Sequence, residues 1–186
     1  MSLVNLVDNQ RTTKNTMHSY LPLYDNLLLR LKDTAQNVLE IGISQGGSIK
    51  LWDDYFTNAQ IHGIDIININ DIWDKIIKDK ITLYTYVDAY NDEWFNSTFL
   101  NTNIKFDVMI DDGPHTLESL ILFIKLYTQL LTDDGILIIE NIQYWKWIDI
   151  LKNEVPENLK QYIKVYDLRS NKNRYDDIVF TIDKCN

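Results

Sequence analysis

The sequence has one cysteine in 186 residues, Cys185, beside the C-terminus. That excludes a disulfide framework and a cysteine-rich zinc cluster. Proline and glycine are scarce, at 3 and 6 residues, so no Pro/Gly-rich linker marks a domain boundary. No apolar run approaches the ~20 residues of a membrane-spanning helix. The opening stretch MSLVNLVDNQRTTKN also lacks the charged-then-apolar layout of a secretory leader. The expectation is a cytoplasmic chain with no membrane partner. Positive charge is short as well: 18 Lys and Arg against 27 Asp and Glu give a net charge of −9. A phosphate backbone would be repelled on average, and RSNKNR (169–174) is too short to reverse that and reads as a turn. No nucleic-acid partner is expected.

What is present is a folded, apolar chain, 45% hydrophobic and 12% aromatic. Its length suits a single domain with a sizeable core, 1–186, divided into an N-terminal lid and helix (1–36) and a ligand-binding core (37–186). Runs of strand length recur: NVLEI (37–41), QIHGIDI (60–66), ITLYTYV (81–87), FDVMI (106–110) and GILIIEN (135–141). Between them SIKLWDDYF (48–56) and HTLESLILFIKLYTQLL (115–131) carry apolar residues at helical intervals. Continuous apolar strands alternating with helices indicate a parallel sheet covered on both faces. YIKVYDL (162–168) and DIVFTID (177–183) flank a polar loop, as an antiparallel hairpin would. The fold class is therefore α/β: a Rossmann-like, doubly wound, mostly parallel seven-stranded sheet closed by a C-terminal antiparallel hairpin. TDDG (132–135) reads as a turn before the fifth strand, with Gly135 suited to an unusual backbone angle. HSYLPLYDNLLLRL (18–31) reads as a helix with Pro22 in its first turn.

The placement of carboxylates is the informative feature. Glu40, Asp65, Asp88, Asp111 with Asp112, and Glu140 each fall at or near the carboxyl end of an apolar run. Ligands of open α/β sheets bind outside those ends, where strand order reverses. One such acid is ordinarily a helix cap; a succession of them reads as a lined cleft. EIGISQGGS (40–48) is a glycine-bearing loop that lets backbone approach a ligand. A dinucleotide fingerprint wants glycine where Ser44 stands, and Glu40 is an awkward neighbour for a pyrophosphate, which disfavours an NAD-dependent oxidoreductase. Asp65 is placed to accept from ribose hydroxyls. Together these residues point to a nucleoside ligand carrying positive charge.

In order, VLEIGISQGGSIKLW, HGIDI, YVDAY and FDVMIDDGPH resemble the successive motifs of class I S-adenosylmethionine-dependent methyltransferases. More narrowly, TTKNTMHSYLPLY (12–24), IDDGPH (110–115) and the pair Glu140-Asn141 resemble the metal-dependent sugar O-methyltransferases of the macrocin and mycinamicin type and their cephalosporin hydroxylase-like relatives. The resemblance implies a cofactor site of Glu40, Gly42, Ser44, Gly46, Ser48, Asp65, Ile66, Asp88, Ala89 and Asp111. It implies Mg²⁺ or another divalent cation on Asp112, Glu140 and Asn141, with His115 as general base beside Asp112. It places Lys14, His18, Tyr20, Tyr24 and Trp145 on the substrate and lid side. Thr13 and Asn141 stand where the family has aspartates; the amide of Asn141 keeps a carbonyl oxygen for a hard cation.

Bland readings run beside these. Asp112-Gly113-Pro114 alone would be a turn before a helix capped by His115 and Thr116, and His62 lies mid-strand as a structural residue. Trp52, Trp73, Trp94 and Trp147 suit a core or rim. The expected activity is transfer of a methyl group to a sugar hydroxyl, on a nucleotide-linked or glycoside-bound deoxysugar such as rhamnose. The alternatives are a catechol or diol O-methyltransferase and a non-catalytic binding module of the same fold. The partner is a small-molecule acceptor, and a second copy of the chain could complete its pocket as a homo-oligomer.

Overall fold

The computed structural model describes residues 1–67, 73–76 and 78–185. Helices α1 (Leu3–Leu6) and α2 (Tyr20–Leu28) precede β1 (Asn37–Ile41). Then come α3 (Gly47–Tyr55), β2 (Gln60–Asp65), β3 (Ile81–Thr85), α4 (Asp92–Thr98) and β4 (Phe106–Asp111). The chain ends in α5 (Leu117–Tyr127), β5 (Leu131–Ile139), α6 (Trp147–Glu154), β6 (Ile163–Asp167), α7 (Arg169–Lys172) and β7 (Ile178–Asp183). The strands form one seven-stranded sheet in the order β3-β2-β1-β4-β5-β7-β6. The pairings from β3 through to β5 are parallel, and β7 runs antiparallel to both β5 and β6. No helix among the described residues is long and apolar enough to cross a membrane.

Period-two alternation along each strand divides the core into two layers. Leu39, Ile41, Met109, Leu137 and Ile139 pack with Phe95, Phe123 and Tyr127 of α4 and α5. Val38, Val108, Ile110, Ile136 and Ile138 pack with Tyr24, Leu28 and Trp52 of α2 and α3. Each fully buried aliphatic or aromatic side chain contributes roughly 1.5–3 kcal/mol. The same parity sorts the acids at the strand ends. Glu40, Asp112 and Glu140 continue the face of Val38, Ile110 and Ile138, towards α2, whereas Asp111 continues the face of Met109, towards α5.

Strand order reverses between β1 and β4, and the cleft opens there. Gly42 N–H donates to the Ile64 carbonyl at 2.9 Å and Asp112 N–H to the Ile41 carbonyl at 2.9 Å, so the loops leaving β1 and β4 lie side by side. Gly42 sits at φ +94°, and a Cβ on it would fall on the Asp112 carbonyl. Here glycine is required twice over, by backbone angle and by contact.

Two expectations are corrected. TDDG is no turn: Thr132, Asp133, Asp134 and Gly135 lie inside β5, where the register against β4 shifts between Phe106 and Val108. Gly135 is not among the glycines with positive φ; small size suits it because a Cβ would press on Leu131 and Thr132. RSNKNR forms the short α7, ended by Asn173 at φ +56°.

Candidate functional site

One flank of the cleft is a cavity of about 690 Å³ above the ends of β1, β2 and β4. Gly42, Ser44, Asp65, Ile66, Asp88 and Ala89, six of the residues expected on the cofactor side, line it. The cavity floor also includes Tyr90, Pro114, Thr116, Ser119 and Leu122, from the loop after β3 and the first turns of α5, which sequence reasoning missed. Helical spacing gives Ser119 and Leu122 to one face of α5, but the cleft's position relative to that face needed the fold. Thr116 caps α5, accepting from Ser119 N–H at 3.1 Å in a capping box. The helix start is thereby fixed beside the cavity.

Asp65 organises this flank. Its Oδ2 accepts from the Ile43 and Ser44 N–H groups at 2.9 and 3.0 Å, and its Oδ1 from Ile67 N–H at 3.1 Å. The carboxylate thus fixes the glycine loop while keeping lone pairs for a ligand hydroxyl. Asp88, exposed, accepts from Tyr90 N–H at 2.9 Å. Asp111 lies fully buried behind the cavity: its Oδ1 accepts from Tyr90 Oη at 2.9 Å and from Gly113 N–H at 3.0 Å. Burial pushes its pKa up to about 7, against those two hydrogen bonds. Gly46 and Ser48 also stand apart from the cavity. Gly46, at φ +90°, precedes α3 against Ile76, and Ser48 is buried in that helix's first turn. Both shape the loop from behind.

The other flank is packed with charge. Lys14 Nζ lies 2.8 Å from Asp112 Oδ2, 2.8 and 2.7 Å from the two oxygens of Glu140, and 3.1 Å from Glu40 Oε1. Lys14 is 1% exposed, Glu40 0% and Glu140 1%, while Asp112, its side chain 28% exposed, faces the cavity. Tyr24 Oη donates to Glu140 at 2.7 Å and Trp52 Nε1 to Glu40 Oε2 at 3.1 Å. Burial works against the Lys14 charge, but Asp112, Glu140 and Glu40 outweigh it and hold the ammonium well above its ordinary pKa. Burial likewise pushes Glu40 up, and Glu140 to about 8, against the pull of Lys14. The two directions are compatible. Three carboxyls face one ammonium, which favours the Lys14 charge, while burial and mutual repulsion raise Glu40 and Glu140.

Several expected roles are corrected here. Glu40 is a partner of Lys14 and Trp52 below the loop and does not line the cavity, because strand parity turns it towards α2. Lys14, Tyr20 and Tyr24 are interior residues and not a lid surface, all at 1% exposure or less. Trp145 is 49% exposed on the outside, with the Arg169 guanidinium 5.4 Å from its ring centre.

Asp112 and Glu140 do converge on one point, and their hard oxygens suit a cation there. Lys14 fills it. Asn141, at φ +54° just past β5, turns its amide away from them, to 3.3 Å from His18 Nε2. His18 is buried, stacked on Tyr20 at 4.9 Å, with Nδ1 2.6 Å from Asp177 Oδ1. Asp176 is buried beside it and paired with Arg174 at 2.8 Å. His18, Asp176 and Asp177 bring three potential ligand atoms within 4.8 Å of one another. Sequence reasoning overlooked the two aspartates. They immediately precede the antiparallel β7, which starts at the end of the sheet where its parallel neighbours finish.

His115 stands between the flanks at φ +54°, the residue before the α5 cap. Its Nδ1 is buried with no hydrogen-bond partner among the described residues, and its Nε2 lies 3.6 Å from Asp112 Oδ1. Burial holds its pKa below the ordinary imidazole value, against the pull of Asp112. At neutral pH the ring is therefore uncharged and able to take a proton.

A doubly wound sheet with a reversed hairpin and a glycine cradle at the switch point is the class I methyltransferase fold. The chain resembles, more narrowly, sugar O-methyltransferases. It is 31% identical over 106 residues to mycinamicin VI 2''-O-methyltransferase of Micromonospora griseorubida, covering 53% of this chain and 25% of that protein. It is 25% identical over 152 residues to 8-demethyl-8-alpha-L-rhamnosyl tetracenomycin-C 2'-O-methyltransferase of Streptomyces olivaceus, covering 77% and 39%. The MycE methyltransferase from the mycinamycin biosynthetic pathway, solved in complex with Mg and SAH, superposes with a TM-score of 0.76. That match is 20% identical and covers 98% of this chain and 54% of that one. The chain thus spans between a quarter and about half of the length of these relatives. No protein-family model matches it.

Proposed function

We propose that the chain is the catalytic domain of an S-adenosylmethionine- and divalent-cation-dependent O-methyltransferase acting on a sugar hydroxyl. The observation that carries this reading is the adjacency of the Gly42–Asp65 cavity, His115 and the Asp112–Glu140 acids at the carboxyl end of the sheet. The finer reading is a deoxysugar of the rhamnose kind, on a glycoside or a nucleotide. It draws support from the rhamnosyl substrates in the names of two relatives.

The cavity suits the cofactor by shape and charge. Gly42 gives close backbone approach, Asp65 offers acceptor lone pairs to a ribose diol, and Asp88 and Glu118 on the cavity wall favour a cationic ligand. Bound S-adenosylmethionine would supply an electrophilic methyl group on a sulfonium, so the protein's task is mostly alignment. His115 would take the acceptor's proton at Nε2, and the imidazolium so formed would be stabilised by Asp112 Oδ1, 3.6 Å away. A divalent cation held by Asp112 and Glu140, with Asn141 at the margin, would supply Lewis acidity that lowers the pKa of the acceptor hydroxyl.

The test is methyl transfer from labelled S-adenosylmethionine to a panel of rhamnosylated and non-glycosylated diol acceptors, with and without chelator. Cation-dependent labelling of the glycosides supports the reading. Labelling of catechols alone would contradict it.

A further inference from the structure

We infer that Lys14 is the resident counter-cation of the Glu40–Asp112–Glu140 cluster, and that a divalent cation must displace its ammonium to reach Asp112 and Glu140. The inference rests on the proposal that these acids take a divalent cation, and adds what that cation competes with. Lys14 Nζ makes its three shortest contacts, at 2.7–2.8 Å, with the oxygens a cation would need. A hard cation binds carboxylate oxygens at roughly 2.0–2.6 Å, so ion and ammonium cannot share one focus.

Two further features show that Lys14 is an incomplete occupant. Three acids surround a single positive charge, so the cluster remains under-neutralised, and a doubly charged ion would match it better. Tyr20 Oη is buried and makes no hydrogen bond among the described residues, and Glu40 Oε1 is held by the longest of the Lys14 contacts, at 3.1 Å. Both residues are 0% exposed. The Tyr20 ring stacks on Tyr24 at 6.0 Å, and the Tyr24 hydroxyl reaches Glu140 at 2.7 Å. A buried hydroxyl left unpaired costs free energy, and a different occupant or its bound water would pair it.

The exchange needs little rearrangement of backbone. The segment carrying Lys14 is anchored independently: Lys172 Nζ donates to the Asn15 and Thr16 carbonyls at 2.5 and 2.8 Å, and His18 is held by Asp177 at 2.6 Å. A turn of the flexible four-carbon Lys14 stem would free both acids while the segment stays docked.

The experiment uses the full chain freed of metal, with Mg²⁺ and Mn²⁺ titrated by calorimetry and by thermal unfolding, for wild type, Lys14→Met and Lys14→Arg. Lys14→Met should bind the divalent cation at least about 10-fold more tightly than wild type and show a larger rise in Tm at saturating metal. Lys14→Arg keeps a charge at the focus and should stay as weak as wild type or weaker. In wild type, amine-selective labelling of Lys14, read by peptide mass spectrometry, should be slow without metal and several-fold faster at saturating Mg²⁺. That readout decides the matter even where Lys14→Met fails to fold. Metal binding with equal affinity in wild type and Lys14→Met, or metal saturation that leaves Lys14 protected, would overturn the displacement and leave the cation reading intact. Absence of divalent binding in every variant would overturn both.

Discussion

The two flanks of the cleft are built from the same material to opposite ends. Both consist of acids at the carboxyl ends of parallel strands. Between β1, β2 and β4 the acids support backbone and leave a cavity of about 690 Å³. A few ångströms away, Glu40, Asp112 and Glu140 close on Lys14 and leave no room. Strand parity makes the difference. Asp65 meets the N–H groups of a glycine loop, which satisfy a carboxylate without filling the cleft; Glu40 and Glu140 point beneath α2, where burial demands a counter-charge. The first flank is ready for a ligand. The second has to change partners before it can hold one.

The sharpest break in the comparison falls at the residue between the flanks. His115→Ala should lower kcat by roughly 10²- to 10⁴-fold, the usual worth of a positioned general base. Affinity for S-adenosylhomocysteine should stay near the wild-type value. Near-normal turnover in a folded His115→Ala protein would reduce His115 to a pre-helix turn residue.

On the packed flank, Lys14→Met in metal-free buffer should cost about 3–5 kcal/mol of stability in urea unfolding, because buried acids lose their counter-charge. An unchanged midpoint would show that the cluster is not held by that charge. On the open flank, Asp65→Ala should weaken binding of S-adenosylhomocysteine by about 1–3 kcal/mol, through the lost acceptor and the loosened glycine loop. The same substitution should leave divalent affinity nearly unchanged; a matching loss of both would mean that the flanks are coupled.

His62, in β2 away from both flanks, serves as a control. Burial lowers its pKa from 6.5 to about 4. The unfolded chain takes up a proton near pH 6.5 and the folded chain resists until about 4, so this contribution is full above 6.5 and lost as pH falls towards 4. His62→Leu should flatten that part of the stability profile by about 1–2 kcal/mol between pH 7 and 5, measured by denaturant unfolding. An identical slope in the variant would assign the acid sensitivity to the cleft instead.

The strands were legible because their apolar runs are continuous: NVLEI matches β1 residue for residue, and FDVMI matches β4 to within one residue. The open flank was legible for a related reason. Its residues follow directly on those runs, so Gly42, Ser44, Asp65, Asp88 and Ala89 could be placed by position alone. Gly135 misled because TDDG has turn composition, whereas the register shift against β4 absorbs it within a strand. The packed flank was legible in its acids and not in their partner. Lys14 lies 98 residues from Asp112 and 126 from Glu140 in sequence, inside a polar segment that gives no sign of being buried. Nor does strand parity reach Asn141, which the left-handed turn after β5 sends towards His18 and Asp177.

The most direct measurement is calorimetric titration of the metal-free full chain with S-adenosylhomocysteine, followed by NAD. The expected result is saturable one-to-one binding of S-adenosylhomocysteine, weakened at least about 5-fold by Asp65→Ala and nearly indifferent to chelator. Tight binding of NAD with no binding of S-adenosylhomocysteine would contradict the assignment of the open flank, and with it the proposed methyl-transfer function.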